Sequence, residues 1–344
     1  PFLALTDPGC TEDTGNVYGM NLVYSGSFEA SVEVDMQHNT RMMMGIQSFD
    51  FSWELHSGEE FYTPEAVLVH SDRGLNGMSQ IFHRLYRERL MPPNWAERPR
   101  PIAVNNWEAT YFDFDRKKLL DLADEAAGIG AELFVHDDGW FGHRNSDGSS
   151  LGDWKVNEEK LGGSLKNLGQ EMKERGLGFG IWMEPEMVSP DSDLFRAHPD
   201  WIIAAPLEEP QVARNQYVLD LSRKCVREFV IEAVAEILEG GVIDYVKWDM
   251  NRNITDAFSG ELFPGNQKEL MHRYMLGLYG ILEELTERFP EILFEGCAGG
   301  GGRYDPGMLY YMPQIWVSDD TDAIERLRIQ DGASLIYPSV SMSC

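Results

Sequence analysis

The chain has 344 residues, 43% of them apolar and 25% charged, which supplies a large core and excludes global disorder. At about 150 residues per domain, this length corresponds to roughly two domains. Lys and Arg number 29 against 57 Asp and Glu, and the resulting formal charge of −28 repels phosphate backbones and anionic lipid. Nucleic acid and membrane surfaces are therefore excluded as partners, and a neutral substrate is favoured. No apolar run of about 18 residues is present to span a bilayer. Cys10, Cys225, Cys297 and Cys344 form no CxxC pair and match no zinc spacing. In a chain this long they point to a reducing compartment, so a cytoplasmic location is expected. The sequence starts at Pro1 without a charged-then-apolar leader, and a missing N-terminal part is expected.

Residues 1–98 read as β-rich. Val17–Val23 and Phe28–Val34 alternate and are broken by Gly, Ser and Asn. A helix is expected from Leu75 to Leu90, with Ile81, Phe82, Leu85 and Leu90 on its apolar stripe. The proline-rich stretch from Met91 to Pro101 sets the expected domain boundary, giving residues 1–98 and 99–344. From Ile102 the pattern changes to buried strands alternating with helices. Strands are expected at Ile102–Trp107, Leu133–Asp138, Phe179–Glu184, Tyr245–Asp249, Ile292–Cys297, Ile315–Asp319 and Ser334–Val340. Helices are expected at about 115–128, 164–175, 225–239, 268–288 and 322–331. This alternation predicts an α/β fold of parallel βα units, and its span fits a (β/α)8 TIM barrel of about 250 residues. A doubly wound nucleotide-binding sheet is disfavoured, because Asn105-Asn106-Trp107-Glu108 stands where GxGxxG would follow the first strand. Seven barrel strands are counted, so the chain is expected to be a fragment truncated at both ends, unstable and nearly inactive alone.

Six of these strands begin apolar and end polar, and a (β/α)8 barrel carries its chemistry at the C-terminal strand ends. Tyr245–Asn251 is the most informative segment. Under strand alternation Lys247, Asp249 and Asn251 share one face, and Val246, Trp248 and Met250 the other. A carboxylate two residues from an ammonium stays ionised and is suited to nucleophilic attack, although a buried structural ion pair is the competing reading. Ile315–Asp322 brings Asp319, Asp320 and Asp322 together. Clustered acids raise one another's pKa, which suits a general acid, while Asp322 is better read as the cap of the helix that follows. Two carboxylates in unequal environments among Trp and neutral polar groups are the equipment of a glycosidase. Trp107, Trp140 and Trp182 offer apolar faces to sugar C–H surfaces. A metal at His136-Asp137-Asp138 is disfavoured, because no other His ends a strand. Gly296–Gly302 lacks the Lys-Ser/Thr of a phosphate loop.

At these same stretches the sequence resembles the α-galactosidases of glycoside hydrolase family 36. The likeness is carried by Asn105-Asn106-Trp107-Glu108-Ala109, Asp137-Asp138-Gly139-Trp140-Phe141, Trp182-Met183-Glu184-Pro185-Glu186-Met187 and Arg214–Asp220. It continues through Lys247-Trp248-Asp249-Met250-Asn251-Arg252, Cys297-Ala298-Gly299-Gly300-Gly301 and Ser318–Ala323. The resemblance implies a β-sandwich before the barrel, of which residues 1–71 would be the tail. It implies a retaining exo-α-galactosidase acting on terminal α-1,6-galactose of melibiose- or raffinose-type oligosaccharides. By the same resemblance Asp249 is the nucleophile and Asp319 the acid/base. Trp107, Asp137, Asp138, Trp182, Arg214, Lys247, Asn251, Cys297 and Gly300 fall on galactose-binding positions, with Asp137 and Asp138 at the 4-OH and 6-OH. It implies that no metal or other cofactor is needed and that the full-length form is a homo-oligomer, commonly a tetramer. Transglycosylation, α-N-acetylgalactosaminidase activity and a non-catalytic sugar-binding fragment stay open as alternatives.

Overall fold

Strands that are apolar along their whole length suit a parallel sheet covered on both faces, whereas alternating strands suit an antiparallel sheet with one wet face. Both kinds are present. The structure, a computed structural model, describes residues 1–206 and 208–343; Leu207 and Cys344, both within the expected 99–344 range, lie outside the described residues. The chain divides into two compact units. One comprises Pro1–Pro99, Pro264–Met275 and Gly300–Cys344, and the other Arg100–Phe263 and Leu276–Gly299.

The first unit carries two antiparallel sheets, as expected for part of a sandwich. Phe2–Thr6 and Glu65–Ser71 flank Val17–Val23 in a three-stranded sheet. Phe28–Val34 pairs with Thr40–Ile46 as a hairpin whose turn is pinned by the Asp35 carboxylate, which accepts from the backbone N–H of Gln37 and Asn39 at 2.9 Å each. The expected helix is present as Gly74–Leu85 and then loosens into one wider turn at Tyr86–Leu90. It lies close over the central strand, where a Cβ on Gly19 would stand 2.8 Å from the Phe82 ring. Val17, Val69, Met78, Phe82, Tyr86 and Leu309 form the core of this unit, with Ile336 and Tyr337 among them.

That packing corrects one expected strand. Ser334–Val340 is not extended. The Asp322 side chain caps a helix at Ala323–Ser334, Ile336 and Tyr337 go into the core, and Pro338 leads into a tight turn at Ser339–Ser341. The strand follows at Met342–Ser343 and pairs in parallel with Gln314–Trp316. An apolar run of three residues does not distinguish a strand from a core-facing turn, and the capped helix settles it.

The second unit holds five parallel strands, Ala103–Asn105, Leu133–His136, Gly178–Met183, Tyr245–Trp248 and Leu293–Gly296. Each pairs with the next, so spatial order equals chain order. That order belongs to a (β/α) barrel, because a doubly wound sheet reverses direction at its switch point. Leu133, Phe134 and Val135 are all buried, as are Phe179 through Met183. Helices at Arg116–Gly128, Leu165–Glu174 and Lys224–Leu238 provide the first three crossovers. The first two start at side-chain caps, Asp115 to the Lys118 N–H at 2.8 Å and Ser164 to the Asn167 N–H at 3.2 Å. With the pair in the first unit, the described residues contain seven parallel strands. Their ends come earlier than the sequence pattern predicts, at Asn105, His136, Met183, Trp248 and Gly296. Asp137, Asp138, Glu184, Asp249, Asn251 and Cys297 therefore stand past the strand ends, while Asn105, Trp182 and Lys247 stay within the strands.

Candidate active site

Five strand ends in the second unit set out a dense polar network. Asp249 follows the Tyr245–Trp248 strand, and its backbone N–H still reaches Met183 O at 2.8 Å. Its carboxylate is buried. Oδ2 accepts from Trp182 Nε1 at 3.0 Å and Asn251 Nδ2 at 2.6 Å, while Oδ1 accepts from the Met250 N–H at 2.9 Å. Three donors on one carboxylate fix its plane. Asn251 Oδ1 in turn accepts from Arg214 Nη1 at 3.1 Å. Arg214 and Asn215 both hold left-handed backbone, φ 52° and 59°, in the turn that carries the guanidinium to this site.

The Asp249 charge acts on Lys247, whose ammonium makes its ion pair with a carboxylate beyond another strand. Its ammonium lies 3.3 Å from Asp137 Oδ2. Burial works against its charge, but the acidic groups of Asp137, Cys297, Asp249 and Glu295 hold its pKa above the ordinary lysine value. Asp137 also accepts from Asn105 Nδ2 at 2.5 Å, and the Asn106 side chain takes the Asp137 N–H at 2.8 Å. Asp138 faces Arg144 in a two-point pair, Nε to Oδ1 at 2.9 Å and Nη2 to Oδ2 at 2.8 Å. Both side chains are buried; burial pushes the Asp138 carboxyl up and Arg144 draws it partly back.

The tryptophans take different places. Trp182 is 3% exposed and lies parallel to Phe141, with centroids 6.4 Å apart, while its indole N–H points at Asp249. Trp107 is half-buried at the head of the short Trp107–Thr110 helix and meets Tyr111 and Phe112 edge to face. Trp140 is fully buried and donates to Trp182 O, so it is core. Cys297 is buried just past the Leu293–Gly296 strand, its N–H on Trp248 O at 2.8 Å. His136 is buried against the Phe114 ring and driven down to about 3 by burial, with Lys160 adding to the effect. Among the described residues no group of three or more His, Cys, Asp or Glu is arranged to hold a metal ion. No helix is long and apolar enough to cross a membrane among them.

In the first unit, Asp319 is exposed and its Oδ1 accepts from Trp316 Nε1 at 2.8 Å. The three acids of this loop do not converge. Asp320 turns to the Asp322 N–H at 3.0 Å, and Asp322 caps its helix through Ile324 and Glu325, as the sequence pattern favoured for Asp322. Gly300 backs this loop at φ 86°, and a Cβ there would stand 2.9 Å from the Asp319 N atom. A close backbone approach, not a phosphate, accounts for that glycine.

Two buried carboxyls at the site were not singled out from the sequence. Glu184 accepts from Gln216 Nε2 at 2.8 Å and from the Asn251 N–H, and Glu186 accepts from Trp248 Nε1 at 2.9 Å. Their signal is in Trp182–Glu186, where two acids at alternate positions follow a buried strand.

The Melibiase family profile matches residues 60–344, and the Glycosyl hydrolase family 36 N-terminal domain matches residues 1–56. Alpha-galactosidase AgaA of Geobacillus stearothermophilus is 55% identical over 342 residues, 99% of this chain and 47% of its own length. Alpha-galactosidase Mel36A of Lactobacillus acidophilus is 50% identical over 343 residues, 100% of this chain and 47% of its own. A crystal structure of AgaA superposes with a TM-score of 0.98 at 55% identity, covering 100% of this chain and 48% of that one. A variant of AgaA in complex with raffinose superposes equally well, at 54% identity and with the same coverage. The chain spans about half the length of the curated relatives it matches.

Proposed function

The chain belongs to the Melibiase family of glycosyl hydrolase family 36, and from that membership we propose that the protein it comes from is a retaining exo-α-galactosidase. Its substrates are oligosaccharides ending in α-1,6-linked galactose, of the melibiose and raffinose type. The observation that carries the reading is the Asp249 carboxylate, buried at a strand end and held by the Trp182 and Asn251 donors. In this reading Asp249 Oδ attacks the anomeric carbon as the glycosidic C–O bond breaks, and Asp319 gives its proton to the departing oxygen. Water then attacks the galactosyl ester after losing a proton to Asp319, and two inversions give net retention.

The remaining residues bind and orient the sugar. Asp137, fixed by Asn105, Asn106 and Lys247, and Asp138, fixed by Arg144, are acceptors for the 4-OH and 6-OH. Lys247, Arg214 and Asn251 offer donors, Trp107 and Trp182 apolar surface, and Cys297 and Gly300 line the 2-position. The relatives are named alpha-galactosidases, and one related structure holds raffinose, which supports the substrate class. The full-length form is read as a cytoplasmic homo-tetramer whose residues 99–344 contribute the barrel and residues 1–98 part of the sandwich. The test is turnover of p-nitrophenyl α-galactoside by the full-length protein beside the α-glucoside, β-galactoside and α-N-acetylgalactosaminide. Only the α-galactoside should turn over well. Preference for the N-acetylated substrate would move the assignment to the alternative activity.

Gly300 supplies a test of Asp319. Gly300→Ala forces the Asp319 backbone to move, and a displacement near 1 Å costs on the order of 100-fold in turnover. The loss should be largest for poor leaving groups, which need the proton most, and smallest for nitrophenolates. A loss in kcat that is equal across leaving groups, with KM unchanged, would contradict the acid role.

A further inference from the structure

We propose that Glu184 is a positioning residue that sets the orientation of the Asp249 carboxylate by holding the backbone of Asn251. The inference rests on the proposed role of Asp249. The parallel ladder between Gly178–Met183 and Tyr245–Trp248 pairs Tyr245 with Gly180 and Trp248 with Met183. Beyond it one backbone bond remains, from the Asp249 N–H to Met183 O. Two residues on, the Asn251 N–H donates to the Glu184 side chain instead. The carboxyl thus takes over where the sheet ends, and the segment 249–251 is fixed at both of its ends.

That segment carries the chemistry. Asn251 Nδ2 donates to Asp249 Oδ2 at 2.6 Å, so a shift of the Asn251 backbone is transmitted to the carboxylate. Gln216 Nε2 donates to the same Glu184 oxygen at 2.8 Å and fixes it from the side of the Arg214 turn. Glu184 is 1% exposed and does not touch Arg214 or Lys247 through any of these bonds. Its carboxyl is pushed up to about 8, by burial first and then by the Asp249 charge. Both effects favour its protonated form, and glutamine reproduces its shape and its acceptor oxygen. Aspartate keeps the acid but withdraws the oxygen by one methylene.

The experiment uses the full-length protein and a 2,2-difluorinated aryl α-galactoside. Carboxylate attack at the anomeric carbon expels the phenolate and leaves a slowly hydrolysed galactosyl ester, located by peptide mass mapping. Glu184→Asp is expected to lower the trapping rate constant about 100-fold, far more than it raises the half-saturating reagent concentration, because Asp249 is misaligned while of the sugar contacts only that of Asn251 shifts. Glu184→Gln is expected to recover trapping to within about tenfold of wild type. Trapping by folded Glu184→Asp at the wild-type rate, or equal slowing in both variants, would overturn the inference. If Glu184→Asp does not fold, Gln216→Ala removes the second donor on the same oxygen and should slow trapping about tenfold; no slowing would overturn the inference as well. A wild-type protein that is not labelled, or is labelled away from Asp249, refutes the proposed function instead.

Discussion

Asp249→Ala in the full-length protein is expected to lower turnover of aryl α-galactosides at least about 10⁴-fold, the scale seen when a covalent nucleophile is removed. The residue has no substitute in place. Its neighbours Trp182, Asn251 and Met250 all donate to it, and Glu184 is committed to Asn251 and Gln216. The alanine leaves a space lined by those donors, of a size and character that admits azide. With a nitrophenyl leaving group, azide attack at the anomeric carbon should restore turnover and yield the β-galactosyl azide, with phenolate leaving. Activity within tenfold of wild type, or a product azide of α configuration, would contradict the assignment.

The second large effect is on stability. Arg144→Ala strips the buried Asp138 carboxylate of its three guanidinium hydrogen bonds. Breaking a buried pair from one side costs about 3–5 kcal/mol, because the remaining charge loses its counter-charge and keeps only a backbone donor at Gly139. At roughly 2–4 °C per kcal/mol this corresponds to a loss of about 10 °C in Tm. Part of the cost will be relieved by protonation of Asp138, whose carboxyl burial already pushes up. The loss should therefore shrink at acidic pH. Differential scanning calorimetry of the full-length variant at neutral and acidic pH checks both statements, and a Tm within 2 °C of wild type would show that the pair contributes little.

Much of the second unit was legible because parallel strands advertise themselves. Leu133–Val135 and Phe179–Met183 are apolar without interruption, and each turns polar where the strand ends. The helices between them carry side-chain caps at Asp115 and Ser164 that also stand in the sequence. What a linear pattern does not contain is which strand ends meet across the sheet. Lys247 lies opposite Trp182 in the ladder, yet its ammonium passes to Asp137, just past the end of the next strand over and 110 residues away. The strand stops at Trp248, so Asp249 and Asn251 stand beyond the ladder through which the alternation was extended, although the Asp249 charge still acts on Lys247. Glu184 escaped notice because its function is to satisfy a backbone donor, and such partners depend on loop geometry. The misplaced seventh strand has a different cause. Leu335-Ile336-Tyr337 is apolar and short, and its burial comes from a turn in the core of the first unit. The helix before it, Ala323–Ser334, buries Arg326 alone and gives little periodic signal to follow.

The central claim is double displacement at an α-galactosyl centre, and proton NMR of the first-formed sugar tests it most directly. Full-length protein mixed with p-nitrophenyl α-galactoside is followed at the anomeric protons before mutarotation equilibrates them. The account predicts that α-galactose appears first and the β-anomer only later, by mutarotation. Initial release of β-galactose would mean a single displacement by water, and Asp249 would then be a general base and not a nucleophile.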